Sequence, residues 1–379
     1  MNKWLKISIG ITGSIIILLI AGTLIFYSML RRSLPVYSGE INVQGVQGEV
    51  QIYRDNYAIP YIFSKYEEDA AFALGYLHAQ ERMFQMDIAR RAGEGRLSEI
   101  FGTKTIPFDK LFLTVGIRNT AEKILEKSDP VTKKMLDAYA KGVNNYIDET
   151  RGKYSVEFDV LGYQPYNWKP LHSIIIIRMM AWELNIGWWS DIAFTHLVQK
   201  LGEEKVKEIL PDYPENAPTI IPPETKNLKR VTLDLLKTDK EFRHFAGIAG
   251  NHIGSNNWVV NGNKSVSGRP IIANDPHLAF SLPGKWYAAV IKSGSINVAG
   301  VTLPGVPGVV IGKNENISWV LTNVMADDSD FYVEELNTDR TKYLFNNEWK
   351  NVSVREDTIR VKDSSDVVIE ILSTHRGPI

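Results

Sequence analysis

Cysteine is absent from all 379 residues. That excludes disulfides, thiolate metal sites and a cysteine nucleophile, while leaving the redox compartment open. Charge of one sign is not in excess either. A formal net charge of −1 gives neither the basic surplus of a nucleic-acid binder nor an acidic tail. No internal repeat sets a period, and neither a His-Glu-x-x-His nor a Gly-x-Ser-x-Gly signature occurs, so two common hydrolase designs drop out. Gly308-Val309-Val310-Ile311-Gly312-Lys313-Asn314 mimics a phosphate-binding loop, but it is one residue short and lacks the hydroxyl after lysine. What remains is a chain long enough for roughly two domains, or a single large one, with ample sequence for a core.

The first feature present is an uncharged apolar run over 7–30, with Lys3 and Lys6 before it and Arg31-Arg32 after it. At about 1.5 Å per residue, such a helix spans a hydrocarbon core of roughly 30 Å. The run is long for a signal peptide and no small-x-small cleavage site follows it, so segment 1–32 reads as a retained anchor in preference to a cleaved signal. Positive charge on both flanks leaves the orientation unset. The globular part is expected outside the cytoplasm, at the cell membrane facing the periplasm or the exterior.

Residues 50–63 read as a strand, a turn at Asp55-Asn56 and a second short strand interrupted by Pro60. Ser64-Lys65-Tyr66-Glu67 fits a capping box, and a helical pattern follows through Ala70, Leu74, Leu77, Phe84 and Ile88 to Arg91. His78, Glu81, Arg82, Asp87 and Arg90 lie on it, and opposite charges at helical spacing read as structural pairs. Asp129-Pro130 opens another helix, to about Glu149. Residues 163–170 form an aromatic- and proline-rich loop. Apolar helix 173–189 follows, ending in Trp182, Trp188 and Trp189, which suit either an acyl pocket or core packing. Ser190 then caps a helix to Leu201 that Gly202 ends. From 211 to 245 prolines give way to a lysine-rich stretch of little periodicity, read as a surface connector.

After residue 254 the sequence is almost all strand and turn, with short β-runs at 258–260, 270–273, 286–291, 296–303, 309–311 and 317–322. Helices before the connector and strands after it argue for an α+β or layered αββα arrangement. At the junction stands Gly254-Ser255-Asn256-Asn257-Trp258. If the Gly254–Ser255 bond is cut, Ser255 carries nucleophile and base in one residue. A free α-amine has a pKa of roughly 7.7–8, so near neutrality it can take the hydroxyl proton. Gly254 would tolerate the strained backbone that a self-cleaving bond needs. The plainer alternative is a turn leading into a strand.

Two motif groups in order carry a resemblance. The first is Asp69-Ala70, then Gly75-Tyr76-Leu77-His78-Ala79-Gln80-Glu81-Arg82-Met83-Phe84-Gln85-Met86-Asp87, Arg90-Arg91 and Gly95-Arg96-Leu97-Ser98-Glu99. The second is Gly254-Ser255-Asn256-Asn257-Trp258, Asn274-Asp275-Pro276-His277-Leu278 and Asp327-Asp328-Ser329-Asp330. From about Val50 onward the chain resembles the penicillin acylase family of N-terminal nucleophile hydrolases.

The resemblance implies a four-layer αββα core, incomplete here, with Ser255 as nucleophile and a precursor that cleaves itself before it. It implies a helical α-chain over 33–225, a spacer over 226–254 and a β-chain beginning at 255 and cut short at 379. His277 matches a position beside the serine in cephalosporin-acylase-like and acyl-homoserine-lactone-acylase-like members. Asn323 matches an oxyanion-hole position at which the main-chain N–H acts, and Asn257 is close enough to orient the nucleophile. Asp191, Asp327, Ser329 and Asp330 match the ligands of a structural Ca²⁺, a hard cation suited to such oxygen donors. The substrate class implied is a linear acyl amide of penicillin, cephalosporin or N-acyl homoserine lactone type. The family's second oxyanion donor and remaining calcium ligands are expected beyond Ile379, in a missing β-chain remainder. The rival reading is a truncated or decayed acylase serving as a membrane-tethered, non-catalytic protein.

Overall fold

In the computed structural model residues 3–209, 233–248, 254–324 and 329–379 are described. Helix α1 (Lys3–Arg32) is exposed along its length and is long and apolar enough to cross a membrane. The helices that follow are α2 (Glu67–Glu94), α3 (Ser98–Phe101), α4 (Ile106–Val115), α5 (Ile117–Lys127), α6 (Pro130–Glu149), α7 (Val156–Leu161), α8 (Pro170–Leu184), α9 (Gly187–Leu201), α10 (Glu203–Lys207) and α11 (Asp234–Phe245). Strands are β1 (Val50–Arg54), β2 (Pro60–Ser64), β3 (Gly254–Val260), β4 (Ile271–His277), β5 (Tyr287–Ser293), β6 (Ile296–Thr302), β7 (Val309–Lys313), β8 (Ser318–Trp319), β9 (Lys342–Phe345), β10 (Glu348–Asn351), β11 (Ser353–Ile359) and β12 (Val367–Ser373).

The chain is α+β. One mixed sheet has the order β1-β2-β5-β6-β7-β8, with β2 and β5 parallel and the other pairs antiparallel. Helix α2 lies over it and contributes Ala70, Ala73, Leu74 and Leu77 to a core shared with Ile62, Ala289 and Ile291 of the sheet. On its other side α6 approaches at van der Waals distance. A Cβ built on Gly75 would lie 2.2 Å from the Tyr139 carbonyl oxygen, and one on Gly142 would lie 1.9 Å from that of Phe72. Neither position admits a side chain without separating the helices. The strands outside the mixed sheet form three two-stranded ladders, β3–β4, β9–β10 and β11–β12, so the described residues show one sheet with flanking helices rather than a completed four-layer stack.

Four local expectations are corrected. Ser64 does not cap α2, because it is still the last residue of β2 and donates to the Tyr66 carbonyl and to Ser293. Glu67 turns instead to the backbone and hydroxyl of Ser295. Ser190 lies inside α9, since the apolar helix breaks at Asn185-Ile186 and restarts at Gly187. The run over 317–322 is strand only at Ser318–Trp319. The segment read as a surface connector contains α11, whose Asp239, Phe242 and Arg243 are buried at i, i+3 and i+4 on one face. By contrast Asp129 caps α6 as expected, accepting from the Val131 and Thr132 amides at 2.8 and 3.0 Å.

Candidate active site

Ser255 is the second residue of β3 and stands opposite Pro276, while Gly254 stands opposite His277. Antiparallel register alone therefore brings His277 to the serine's end of the ladder. The Ser255 hydroxyl donates to the Gly254 carbonyl at 2.6 Å. His277 borders the same peptide bond: a Cβ built on Gly254 would lie 3.8 Å from its Nδ1. Its Nε2 lies 2.9 Å from Asp275 Oδ2 and 3.5 Å from Asn256 Nδ2. With 40% and 61% of their side chains exposed, His277 and Asp275 form a solvent-screened pair. Gly254 is not among the positive-φ glycines and pairs regularly in the ladder, so the expected backbone strain is not found there.

A third segment is laid against this ladder. Asn274 donates its amide to the carbonyls of Leu321 at 2.9 Å and Asn256 at 3.2 Å, and accepts from the Leu321 N–H at 3.2 Å. The Thr322 hydroxyl donates to the Ser255 carbonyl at 2.9 Å. Asn323 follows directly, and its side-chain amide donates to the Leu184 carbonyl at the end of α8, 2.7 Å away. Ser255, His277 and Asn323 are thus gathered in one region, and Asn323 has its side-chain amide turned toward α8. Asn274 and Thr322 were missed as bracing residues. Asn274 sits in the Asn-Asp-Pro-His motif, and its neighbour across the ladder, Asn257, had drawn the orienting role.

Of the expected calcium ligands, Asp327 lies outside the described residues. Asp191 is in the second turn of α9, and Ser329 accepts from the Asn185 amide at 3.0 Å, which holds its segment at the α8–α9 corner. Asp330 is exposed. Among the described residues no group of three or more His, Asp or Glu side chains is placed to hold a metal ion.

The tryptophans belong to a packed cluster. The indoles of Trp182 and Trp189 donate to Asp239 of α11 at 2.9 and 3.1 Å, and the Trp182 and Trp188 rings are 5.4 Å apart. The charges on α2 are structural as read from their spacing. Asp87 and Arg90 are wholly buried and paired, Arg91 spans Asp87 and Glu99, and Arg90 stacks 3.7 Å from the Tyr166 ring centroid. His78, also wholly buried, bridges the Tyr139 hydroxyl at 2.7 Å and Thr302 Oγ1 at 2.8 Å. Burial, helped by the nearby Arg82 charge, pushes its pKa down to about 3.

The sequence over 49–379 matches the family profile described as penicillin amidase. The chain belongs to the penicillin amidase family. Acyl-homoserine lactone acylase QuiP of Pseudomonas aeruginosa is 33% identical over 356 residues, covering 92% of this chain and 42% of that protein. Penicillin acylase 2 proenzyme of Pseudomonas sp. (strain SE83) is 31% identical over 360 residues, covering 92% of this chain and 46% of that protein. A solved structure of thermostable penicillin G acylase from Alcaligenes faecalis in tetragonal form aligns over 46% of this chain and 97% of that chain, at 22% identity and a TM-score of 0.38. The chain spans a little under half the length of these curated relatives.

Proposed function

We propose that the chain is an acylase precursor that cuts its own Gly254–Ser255 bond and then hydrolyses linear amides through Ser255. The supporting observation is the hydroxyl of Ser255 resting on the carbonyl of Gly254, with His277 bordering the same bond. Ser255 Oγ attacks the Gly254 carbonyl carbon, the C–N bond breaks, and the hydroxyl proton passes to the departing nitrogen. Water hydrolyses the resulting ester, releasing a Gly254 carboxylate and a Ser255 α-amine. That amine then takes the Oγ proton as the serine attacks an acyl amide. The product amine leaves with a proton, and water clears the acyl-enzyme. The main-chain N–H of Asn323 is assigned to the oxyanion, where one such donor is worth about 10²–10³ in rate. His277 is assigned to orienting the serine.

Penicillins and N-acyl homoserine lactones are the amide types to assay given the names of the relatives, and cephalosporins given the sequence resemblance. The globular part is assigned to the extracytoplasmic face, tethered by α1, with a four-layer αββα core in the whole protein. Asp191, Asp327, Ser329 and Asp330 are assigned to a structural Ca²⁺ joining the segments before and after the cut. Chelation is expected to lower the melting temperature of the processed protein with recovery on added Ca²⁺; an unchanged transition removes calcium from the scheme. Ser255→Ala is expected to abolish both the fragment starting at position 255 and amide hydrolysis. Intact mass measurement checks the first, and a fragment pattern identical to wild type refutes the nucleophile assignment. A wild-type chain that stays intact favours a non-catalytic tethered protein.

A further inference from the structure

Helix α11 ends at Phe245, ten positions before Ser255, in a stretch whose composition reads as disposable, yet it is built into the body. Its Asp239, Phe242 and Arg243 are 0%, 3% and 3% exposed. Phe242 meets Phe112 edge-on at 4.6 Å between ring centroids and Phe108 at 5.7 Å, and Phe245 reaches Phe101 and Phe108. Asp239 accepts from both indoles and from Arg243 Nε at 2.7 Å. The helix closes on Gly247 at φ 68, with the Ile248 amide returning to the Arg243 carbonyl at 2.9 Å and Ile248 packed on the same core.

The end of α8 shows what this docking accomplishes. A helix leaves its last four carbonyls without partners inside it. Here the Ala181 carbonyl accepts from the Asn185 backbone N–H. The Trp182 and Glu183 carbonyls accept from Arg243 at 3.2 and 2.9 Å, and the Leu184 carbonyl accepts from Asn323. Arg243 and Asn323 therefore share one helix terminus, and the guanidinium charge also suits its negative dipole end. From Asn323 the line continues through Thr322 to the Ser255 carbonyl.

We propose that α11 is a permanent part of the body and no part of a discarded spacer, and that Arg243 is a positioning residue for the Asn323–Thr322 segment and so for Ser255. The inference rests on the assignment of Ser255 as nucleophile. Removing α11 would strand two part-buried indole donors and two helix-end carbonyls and uncover Phe108 and Phe112, each change unfavourable. Whatever is trimmed before the cut is confined to residues after Ile248.

The test is the intact mass of the fragment upstream of the cut in the full, self-processed chain. An end between Ile248 and Gly254 is expected; an end before Ile248, with the α11 peptide lost, overturns the inference. If no fragment starts at Ser255, the nucleophile assignment fails on its own, and limited proteolysis of the intact chain still decides whether α11 is part of the body. Protection of 234–248 supports that, and digestion there at the rate of an unfolded peptide overturns it. For the positioning role, Arg243→Ala is expected to slow self-cleavage about tenfold, with partial recovery in added methylguanidinium and none in an equal concentration of methylammonium. Wild-type cleavage in Arg243→Ala, or equal recovery with both cations, overturns that role. Trp182→Phe, which keeps an aromatic ring but removes one donor to Asp239, provides a milder variant with the same expected direction.

Discussion

Two regions of this molecule differ in how they hold their polar groups. Along α2, Asp87 and Arg90 have no exposed surface, and Arg90 donates to Asp87, to the Tyr166 and Asn167 carbonyls and toward His172. Burial would push the Glu94 carboxyl up, but His172 Nε2 at 3.6 Å, the Tyr166 hydroxyl that donates to it and the Arg96 charge outweigh it and hold the pKa down at about 2. Around Ser255 the groups are half-open. Trp258, Val259 and Ile271 of the ladder are 55%, 69% and 52% exposed, and its end is tied down by Asn274 and Thr322. Strongly displaced titrations therefore mark the scaffold here, whereas the residues assigned to chemistry sit on a lightly braced ladder. A search for the site by perturbed pKa alone would have settled on α2, away from Ser255.

The comparison is broken most severely by treating the same change in both places. Asp87→Asn removes a wholly buried carboxylate from two arginines, and it is expected to cost about 3–5 kcal/mol of stability because the cations are left without their counter-charge. Asp275→Asn breaks a pair that is largely exposed and is expected to cost less than about 1 kcal/mol. Urea unfolding of both variants checks this. Equal losses would mean that the ladder is braced as firmly as α2.

Acid sharpens the same contrast. His78 has a folded-state pKa of about 3, below its value of 6.5 in a solvated chain. Its contribution is therefore fully present above pH 6.5. As pH falls from there toward 3 the unfolded chain binds a proton that the folded one does not, and stability drops by about 1.4 kcal/mol per pH unit from this group. His78→Gln keeps a donor and an acceptor for Tyr139 and Thr302 but removes the titration. It should be less stable than wild type at pH 7 and lose stability less steeply below pH 6, as read from denaturant midpoints across pH. Parallel slopes would show that His78 is not the buried neutral brace its contacts describe.

How much of this was legible beforehand depends on whether the information was local. The helix over α6 and the strands after Ser255 follow from capping chemistry and alternation, which are properties of neighbouring residues. Ser64 failed as a cap because its pairing with Ser293 is fixed 229 positions away. The connector hid α11 because its apolar positions Leu235, Phe242 and Phe245 are interrupted on the buried face by the charged Asp239 and Arg243; the burial of those charges depends on two indoles and a helix end supplied from elsewhere. At the site, the resemblance named Ser255, His277 and Asn323, whereas Thr322 and Asn274 act through backbone carbonyls of partners that no spacing in the chain reveals.

Thr322 gives the finest test of the contrast, because its part in the brace is one hydrogen bond, from its hydroxyl to the Ser255 carbonyl. Thr322→Val keeps the shape and removes that donor. In a half-exposed setting water can take over the acceptor, so the loss of global stability is expected to stay near 0.5–1 kcal/mol. Its effect on rate is a different matter. The bond holds the carbonyl of the residue whose hydroxyl would meet the Gly254 carbonyl carbon in the proposed cleavage, and a small displacement there would act on that step itself. Self-cleavage is therefore expected to slow about threefold to tenfold, a change of about 0.7–1.4 kcal/mol in the barrier. A time course of the Ser255 fragment beside an unfolding curve separates the two readouts. Slower cleavage with little change in stability fits a brace that serves the serine, while a loss of stability comparable to that of Asp87→Asn would place Thr322 with the scaffold.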